Sequence, residues 1–214
     1  MRLLVTGAGG FVGGAVVRHA RAQGIPVRAM LRPGGSPATT LGIESVEADL
    51  SSESELAGAL RDCTAVIHLA AARTARGTRR SVYREVNVEG TRRLLRAAQE
   101  AGVSRFVFAS TLGVHGFVTT GPIDESTPAR PNTAYRESKW LAERLVAMPD
   151  DGRMTRTIAR LATVVGAEGR NLDSFLETVS RDHLRLLGDG ANRIDLIASE
   201  DAADGLVRCA TMPA

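Results

Sequence analysis

At 214 residues, with 43% hydrophobic, 24% charged and only 4% aromatic side chains, the chain is large enough for one α/β domain with an aliphatic core, and its composition excludes the disordered and fibrous classes. No apolar run reaches the roughly 18–20 residues of a bilayer span. The chain opens directly into a strand pattern, with no basic segment and cleavage site ahead of it, so no membrane partner and a cytoplasmic location are expected. The excess of 27 Lys+Arg over 24 Asp+Glu gives a net charge of +3, too small and too interspersed for a nucleic-acid footprint. Cys63 and Cys209 stand apart from each other and from any histidine cluster, which predicts plain thiols and no metal site.

Apolar runs and breakers predict alternating strands and helices in chain order. A strand over about 2–6 is followed by a glycine-rich turn and a helix from about Gly13 to Gln23, which Gly24 and Pro26 end. Strands follow at about 27–31 and 44–47, then a helix at about 52–60 with Ser51 or Ser52 as its cap. A strand over 65–69 leads into a long helix over about 81–101, then a strand over 105–110. A loop rich in Gly, Thr and Pro spans about 111–132, ahead of a helix over 134–147 and a strand over 156–161. A helix at about 173–181, a short strand at 194–197 and a helix from about Glu200 complete the list. Strand–helix alternation with short connections predicts a doubly wound parallel sheet with helices on both faces, whose ligands bind beyond the carboxyl ends of the strands.

Between the first strand and first helix lies Thr6-Gly7-Ala8-Gly9-Gly10-Phe11-Val12-Gly13. Glycines at 7, 10 and 13 permit a tight turn and close approach of backbone to a pyrophosphate, with the helix N-terminus offering free N–H groups. This context, strand before and helix after, predicts a Rossmann-type dinucleotide site using Gly7, Gly9, Gly10, Phe11, Val12 and Gly13. The second strand ends in Leu31-Arg32, where a cofactor with a free ribose 2′-hydroxyl usually meets a carboxylate. An arginine there suits a 2′-phosphate, so NADP is favoured over NAD. Asp49 and Leu50, after the third strand, are placed to meet the adenine. Leu69, Ala70 and Ala71 are small or apolar residues against which the cofactor could lie. His68 reads as an ordinary partly buried histidine, and the basic stretch Arg73–Arg80 as a surface loop able to contact an anion.

Among the 27 Lys+Arg residues, Lys139 is the single lysine. A base-composition bias would explain the arginines but not this exception, so position 139 needs a compact ammonium. It lies four residues after Tyr135, one of only two tyrosines, so the pair shares one helix face. An adjacent ammonium would favour the phenolate of Tyr135, and a phenol tuned towards neutrality can exchange a proton with a substrate oxygen.

These motifs together resemble the extended short-chain dehydrogenases/reductases of the NAD-dependent epimerase/dehydratase branch. The resemblance rests on the glycine turn, Asp49-Leu50, His68-Leu69-Ala70-Ala71, Asn87-Val88-x-Gly90-Thr91, Ser110-Thr111-x-x-Val114-x-Gly116, Tyr135-x-x-x-Lys139 and Gly188-Asp189-Gly190-x-Asn192-Arg193-x-Asp195. It implies that Thr111 (with Ser110 as the neighbouring alternative) hydrogen-bonds the reacting oxygen. It also implies that Lys139 holds the ribose, that Asn87 lies beside the nicotinamide, and that Arg193 meets a substrate diphosphate. It further implies a homodimer through the two long helices and a substrate lobe, of which about 165–214 is an abbreviated part of one 1–214 domain. The pattern departs at His115, where tyrosine is usual and a substrate contact is expected. It departs again at Arg160-Leu161, where Arg-Pro is usual, and at Ala214, beyond which relatives continue. Three functions follow: an NAD(P)-dependent oxidoreductase on a carbonyl or alcohol carbon of a small-molecule substrate, a nucleotide-sugar epimerase/dehydratase with tightly held cofactor, or a non-catalytic dinucleotide-binding module.

Overall fold

A computed structural model describes residues 1–35, 42–73, 77–118, 121–149, 152–167, 177, 179–180 and 194–212. The strands are β1 (Leu3–Thr6), β2 (Val27–Leu31), β3 (Glu44–Glu47), β4 (Ala65–His68), β5 (Arg105–Thr111) and β6 (Thr155–Leu161), with a short pair, β7 (Thr163–Val165) and β8 (Leu196–Ala198). The helices are α1 (Phe11–Ala22), α2 (Glu53–Leu60), α3 (Arg80–Tyr83), α4 (Gly90–Glu100), α5 (Ala134–Val146) and α6 (Ser199–Thr211). The six main strands are all parallel, in the order β3-β2-β1-β4-β5-β6. The order in which strands are added therefore reverses between β1 and β4, which opens a crevice at their carboxyl ends.

Strands buried on both faces carry continuous apolar runs, and period-2 alternation splits each run between two cores. Leu3, Val5, Ile67, Val107 and Ala109 point to the layer of α1 and α6, whereas Leu4, Val66, Phe106 and Phe108 point to that of α2, α4 and α5. At the sheet edge, buried Arg28 of β2 donates from Nη1 to the carbonyls of Ala59 (3.0 Å) and Arg61 (2.5 Å) and pairs with Glu44 of β3 at 2.7 Å. A cation on the last carbonyls of α2 complements that helix end and ties α2 to the strands.

Most predicted elements stand within two residues of their places, and Ser52 is the α2 cap, its hydroxyl accepting from Glu55 N. Three differences bear on function. The helix expected over 81–101 is α3 and α4 joined by a π-helical stretch, Arg84–Glu89, which carries Asn87. Such widened turns concentrate at functional sites. The strand expected at 194–197 is β8, paired with the unforeseen β7. The helix after Glu200, expected within a substrate lobe, lies on the main sheet: Ala203, Leu206, Val207 and Ala210 are buried, and the helix packs on α1, β4 and β5. The helix expected at 173–181 falls largely outside the described residues.

Because α6 completes one face of the sheet, Leu206→Ala is expected to lower unfolding free energy by about 2–5 kcal/mol, the usual cost of a buried leucine cavity. Denaturant unfolding followed by circular dichroism checks this; a loss below about 1 kcal/mol would assign α6 to the periphery.

Candidate active site

The site is assembled where β1, β4 and β5 end. Gly7 (φ +68°) leads from β1 into the turn, and a Cβ there would stand 2.7 Å from Ala70 N and 2.9 Å from Ala70 Cα. At Gly13 a Cβ would overlap the Gly7 carbonyl. Only side-chain-free residues let this loop, α1 and the β4 end approach so closely. The helix begins at Phe11, two residues earlier than predicted, with Gly10 as a cap that offers no side-chain bond and no acidic residue in the first turn. Its first N–H groups and positive dipole end are thus left for an anion. Phe11 turns towards the other end of the chain, with its ring beside Gly166, itself against Ser199 of α6. Gly9 and Gly10 are exposed and Val12 is half-buried.

A chain of hydrogen bonds fixes the crevice. Thr6 and His68 are register partners across β1 and β4. Thr91 donates its hydroxyl proton to the Asn87 carbonyl (2.6 Å), so towards His68 Nε2 (3.0 Å) it accepts. The imidazole proton is assigned to Nε2 accordingly, leaving Nδ1 to accept from the Thr6 hydroxyl at 2.7 Å. Thr6 Oγ1 in turn accepts from the backbone N–H of Leu69 (3.2 Å) and Ala70 (3.1 Å). His68 is fully buried, and burial, reinforced by the Lys139 ammonium, lowers its pKa to about 3. It is a neutral structural ring, more deeply enclosed than its sequence suggested.

Asn87 continues the network. Its Oδ1 accepts from Ala72 N (2.7 Å), and its Nδ2 donates to the Ala72 carbonyl (3.2 Å) and to Ser138 Oγ (2.9 Å). Ser138 Oγ donates to the Tyr135 carbonyl at 2.7 Å. Expected beside a nicotinamide, Asn87 is 1% exposed, and it positions the β4 loop against α5 through these bonds. Ser138 and Tyr83, also absent from the predicted set, belong here as well. Tyr83 is buried and meets Tyr135 edge-on, the ring centroids 6.1 Å apart. The only sequence signal for it was the scarcity of tyrosine.

On α5, capped by Thr133, whose hydroxyl accepts from Arg136 N at 3.2 Å, Tyr135, Lys139 and Glu143 occupy one face at four-residue spacing. An ion pair between Arg80 and Glu137 ties this helix to α3. Lys139 is 3% exposed, and its Nζ lies 4.0 Å from the Phe108 ring centroid, a cation–π contact that partly offsets desolvation. Burial lowers its pKa to about 7 against the opposing pull of Glu143. The phenol of Tyr135 is pushed up, not down: burial dominates and the Arg73 guanidinium opposes it. The expectation that the Lys139 ammonium, together with a positive nicotinamide ring, would draw this phenol towards neutrality is not met by the protein groups alone, whose balance raises it.

Thr111 ends β5 and its hydroxyl oxygen accepts from Gly113 N at 3.1 Å, which leaves its proton to donate. Ser110 points to the opposite face of the strand, buried, and its Oγ has no hydrogen-bond partner among the described residues. His115, expected at the substrate, is 1% exposed and packs inside, contacting the Pro128 carbonyl at 3.4 Å and Arg160 Nη1 at 3.3 Å. Asp49 is exposed, its carboxylate held low chiefly by the Ser51 hydroxyl (2.6 Å), and Leu50 packs on Gly90. Arg32 is exposed at the β2 end, while Leu31 beside it is buried. Arg193 lies outside the described residues. Among those residues no cluster of His, Cys, Asp and Glu could hold a metal, and no helix is long and apolar enough to cross a membrane.

The model of the NAD dependent epimerase/dehydratase family matches residues 3–214. The chain belongs to this family. Among its family relatives, a 2-alkyl-3-oxoalkanoate reductase of Stenotrophomonas maltophilia is 30% identical over 95% of this chain and 63% of its own. A 3-beta-hydroxysteroid dehydrogenase of Mycolicibacterium neoaurum is 37% identical over 89% of this chain and 55% of its own. The chain thus spans about half to two-thirds of the length of these relatives. A solved double mutant of the dTDP-glucose 4,6-dehydratase of Streptomyces venezuelae, with NAD bound, is 31% identical and superposes with a TM-score of 0.83, covering 96% of this chain and 70% of that one.

A buried lysine with a lowered pKa binds fewer protons folded than unfolded between about 7 and 10.5, so it destabilises the fold fully below that window and progressively less as pH rises through it. Lys139→Met is therefore expected to be more stable than the parent by a margin that is largest near pH 6 and shrinks towards pH 10. Urea unfolding across that range checks the sign.

Proposed function

We propose that the chain binds a nicotinamide dinucleotide across the ends of β1 and β4 and reduces or oxidises a small carbonyl or alcohol carbon, with Tyr135 handling the proton. The observation that carries this is the convergence, at the carboxyl edge of the sheet, of a turn with no room for a Cβ at Gly7 or Gly13, an uncapped helix N-terminus and the set Thr111, Tyr135 and Lys139. The backbone from Gly7 to Gly13 fits the pyrophosphate, with Leu69, Ala70 and Ala71 flanking it, Asp49 and Leu50 towards the adenine, and Lys139 at the ribose. The nicotinamide supplies or accepts the hydride. Thr111, its oxygen already engaged by Gly113 N, donates its proton to the substrate oxygen and fixes its position. Tyr135, its pKa raised by burial, carries its proton at neutral pH and so serves as the acid when a carbonyl is reduced.

Arg32 favours NADP, because a guanidinium pairs bidentately with a 2′-phosphate and no carboxylate occupies the β2 end. A second reading, a nucleotide-sugar epimerase or dehydratase, is favoured by the likeness to the dTDP-glucose dehydratase, which holds NAD. In that case the cofactor would stay on the protein through each turnover.

Two measurements test these readings. In fluorescence titrations NADPH is expected to bind about tenfold or more tighter than NADH, a difference of about 1.4 kcal/mol, and Arg32→Ala should abolish the difference. Equal or tighter NADH binding, or NAD released stoichiometrically from the denatured protein, would move the assignment to the epimerase/dehydratase reading. With any carbonyl compound that supports NADPH oxidation, Tyr135→Phe should lower kcat/KM by about 10²-fold or more while dinucleotide Kd stays within about threefold. Retained turnover would remove Tyr135 from the chemistry.

A further inference from the structure

Behind Lys139, one turn further along α5, Glu143 is 3% exposed, a carboxylate out of water that needs a partner. Its partner comes from β6. Arg160 Nε lies 3.1 and 3.2 Å from the two carboxylate oxygens, and Nη2 lies 2.8 Å from Oε2. The remaining terminal nitrogen, Nη1, reaches His115 Nε2 at 3.3 Å. An arginine can only donate, so this imidazole nitrogen accepts, and the proton on Nδ1 goes to the Pro128 carbonyl. His115, a departure from the family pattern, thus meets Arg160, the arginine that the pattern retains ahead of the departing Leu161, and together they orient the one carboxylate, among the described residues, whose charge acts on Lys139.

We propose that Arg160, braced by His115, is a positioning residue for the Lys139 ammonium: by holding the Glu143 carboxylate in a fork, it keeps that charge from closing onto Lys139. Residues four apart on a helix are within ion-pairing reach, so an unheld Glu143 would pair with Lys139 and draw it off the Phe108 ring, away from Tyr135 and the crevice. The other groups around Lys139 do not supply this restraint. His68 of β4 is neutral, Phe108 of β5 offers only its ring face, and Tyr135, one turn back along α5, and Tyr83, edge-on to it, offer phenols rather than carboxylates. Glu125 acts on Arg160 itself, adding to the hold of Glu143 on its charge. The inference rests on the reading of Lys139 as the cation of the cofactor site, but its first test requires no cofactor.

Since Lys139 is the single lysine, protein grown on ¹³C,¹⁵N-lysine gives one side-chain signal whose titration needs no assignment. The parent midpoint is expected well below that of an ordinary lysine. Arg160→Met should raise it by about one pH unit or more, a tenfold gain in proton affinity. Arg160→Lys, which keeps a charge but not the fork, should give a smaller rise, and Glu143→Gln should lower the midpoint. Circular dichroism and thermal unfolding establish that each variant is folded. A folded Arg160→Met whose lysine midpoint moves by less than about 0.3 unit, or falls, overturns the proposal. Should that variant fail to fold, Arg160→Lys decides, a rise supporting the proposal and an unmoved or lowered midpoint sinking it. The pH dependence of NADPH affinity separates the two layers. A lysine that shifts as expected while affinity stays independent of pH refutes the cofactor-site reading and leaves the positioning role standing. Normal NADPH binding with an unmoved lysine does the reverse.

Discussion

The hydrogen bond from Thr6 to His68, and what it recruits, is the constraint on which the rest of the site depends. It spans the two strands between which the strand order reverses, where a parallel sheet opens a crevice. The same threonine oxygen gathers the N–H groups of Leu69 and Ala70. The far ring nitrogen of His68 reaches Thr91, which returns its proton to the backbone at Asn87. Asn87 then clasps Ala72 and Ser138, and Ser138 the Tyr135 carbonyl. Five polar side chains thus link β1, β4, the π-helical turn and the helix that carries Tyr135. Each donor in the chain has an acceptor, the condition under which a buried polar network adds rigidity rather than cost.

Electrostatics sets a second constraint on the same space. His68 and Lys139 are both buried, and burial together with the Lys139 ammonium disfavours a charge on the histidine, which is bonded at both nitrogens and stays neutral. The lysine is left with a lowered proton affinity, a ring face at Phe108 and a carboxylate one turn away. A buried ammonium that is weakly compensated costs stability. Such a group persists where its position serves function. Arginine is not equivalent here, because its guanidinium is a larger, forked group that stays charged at any physiological pH, whereas the ammonium is a compact point charge whose proton affinity burial can lower.

Much of the fold was legible because its signals are local. Apolar runs bounded by glycine and proline marked the main strands, and the glycine turn between a strand and a helix marked the crevice. What local pattern did not report was tertiary. Asn87 and His115 have the residue types of ligands, yet each has its polar atoms engaged internally, by Ala72 and Ser138 in one case and by Arg160 and Pro128 in the other. The pattern of the last helix did not say which layer it would join, because an amphipathic helix fits any apolar face of the right shape. Its packing on α1 is a property of the assembled sheet. The phenol of Tyr135 was expected to follow its neighbour's charge, but burial, which no sequence spacing reports, outweighs it.

The sequence by itself determined the parallel α/β architecture, the place of the glycine turn and the shared helix face of Tyr135 and Lys139, since each follows from periodicity or from the steric demands of a few residues close in the chain. It also singled out Lys139, through the bare fact of one lysine among so many arginines. Only the tertiary structure decided which polar groups are spent on one another and which remain for a ligand. Thr6 and His68 are 62 residues apart in the chain, Asn87 and Ser138 are 51, and His115 and Arg160 are 45. No local pattern encodes such pairs. They form because parallel strands bring distant segments into register at one edge, where buried donors must find acceptors.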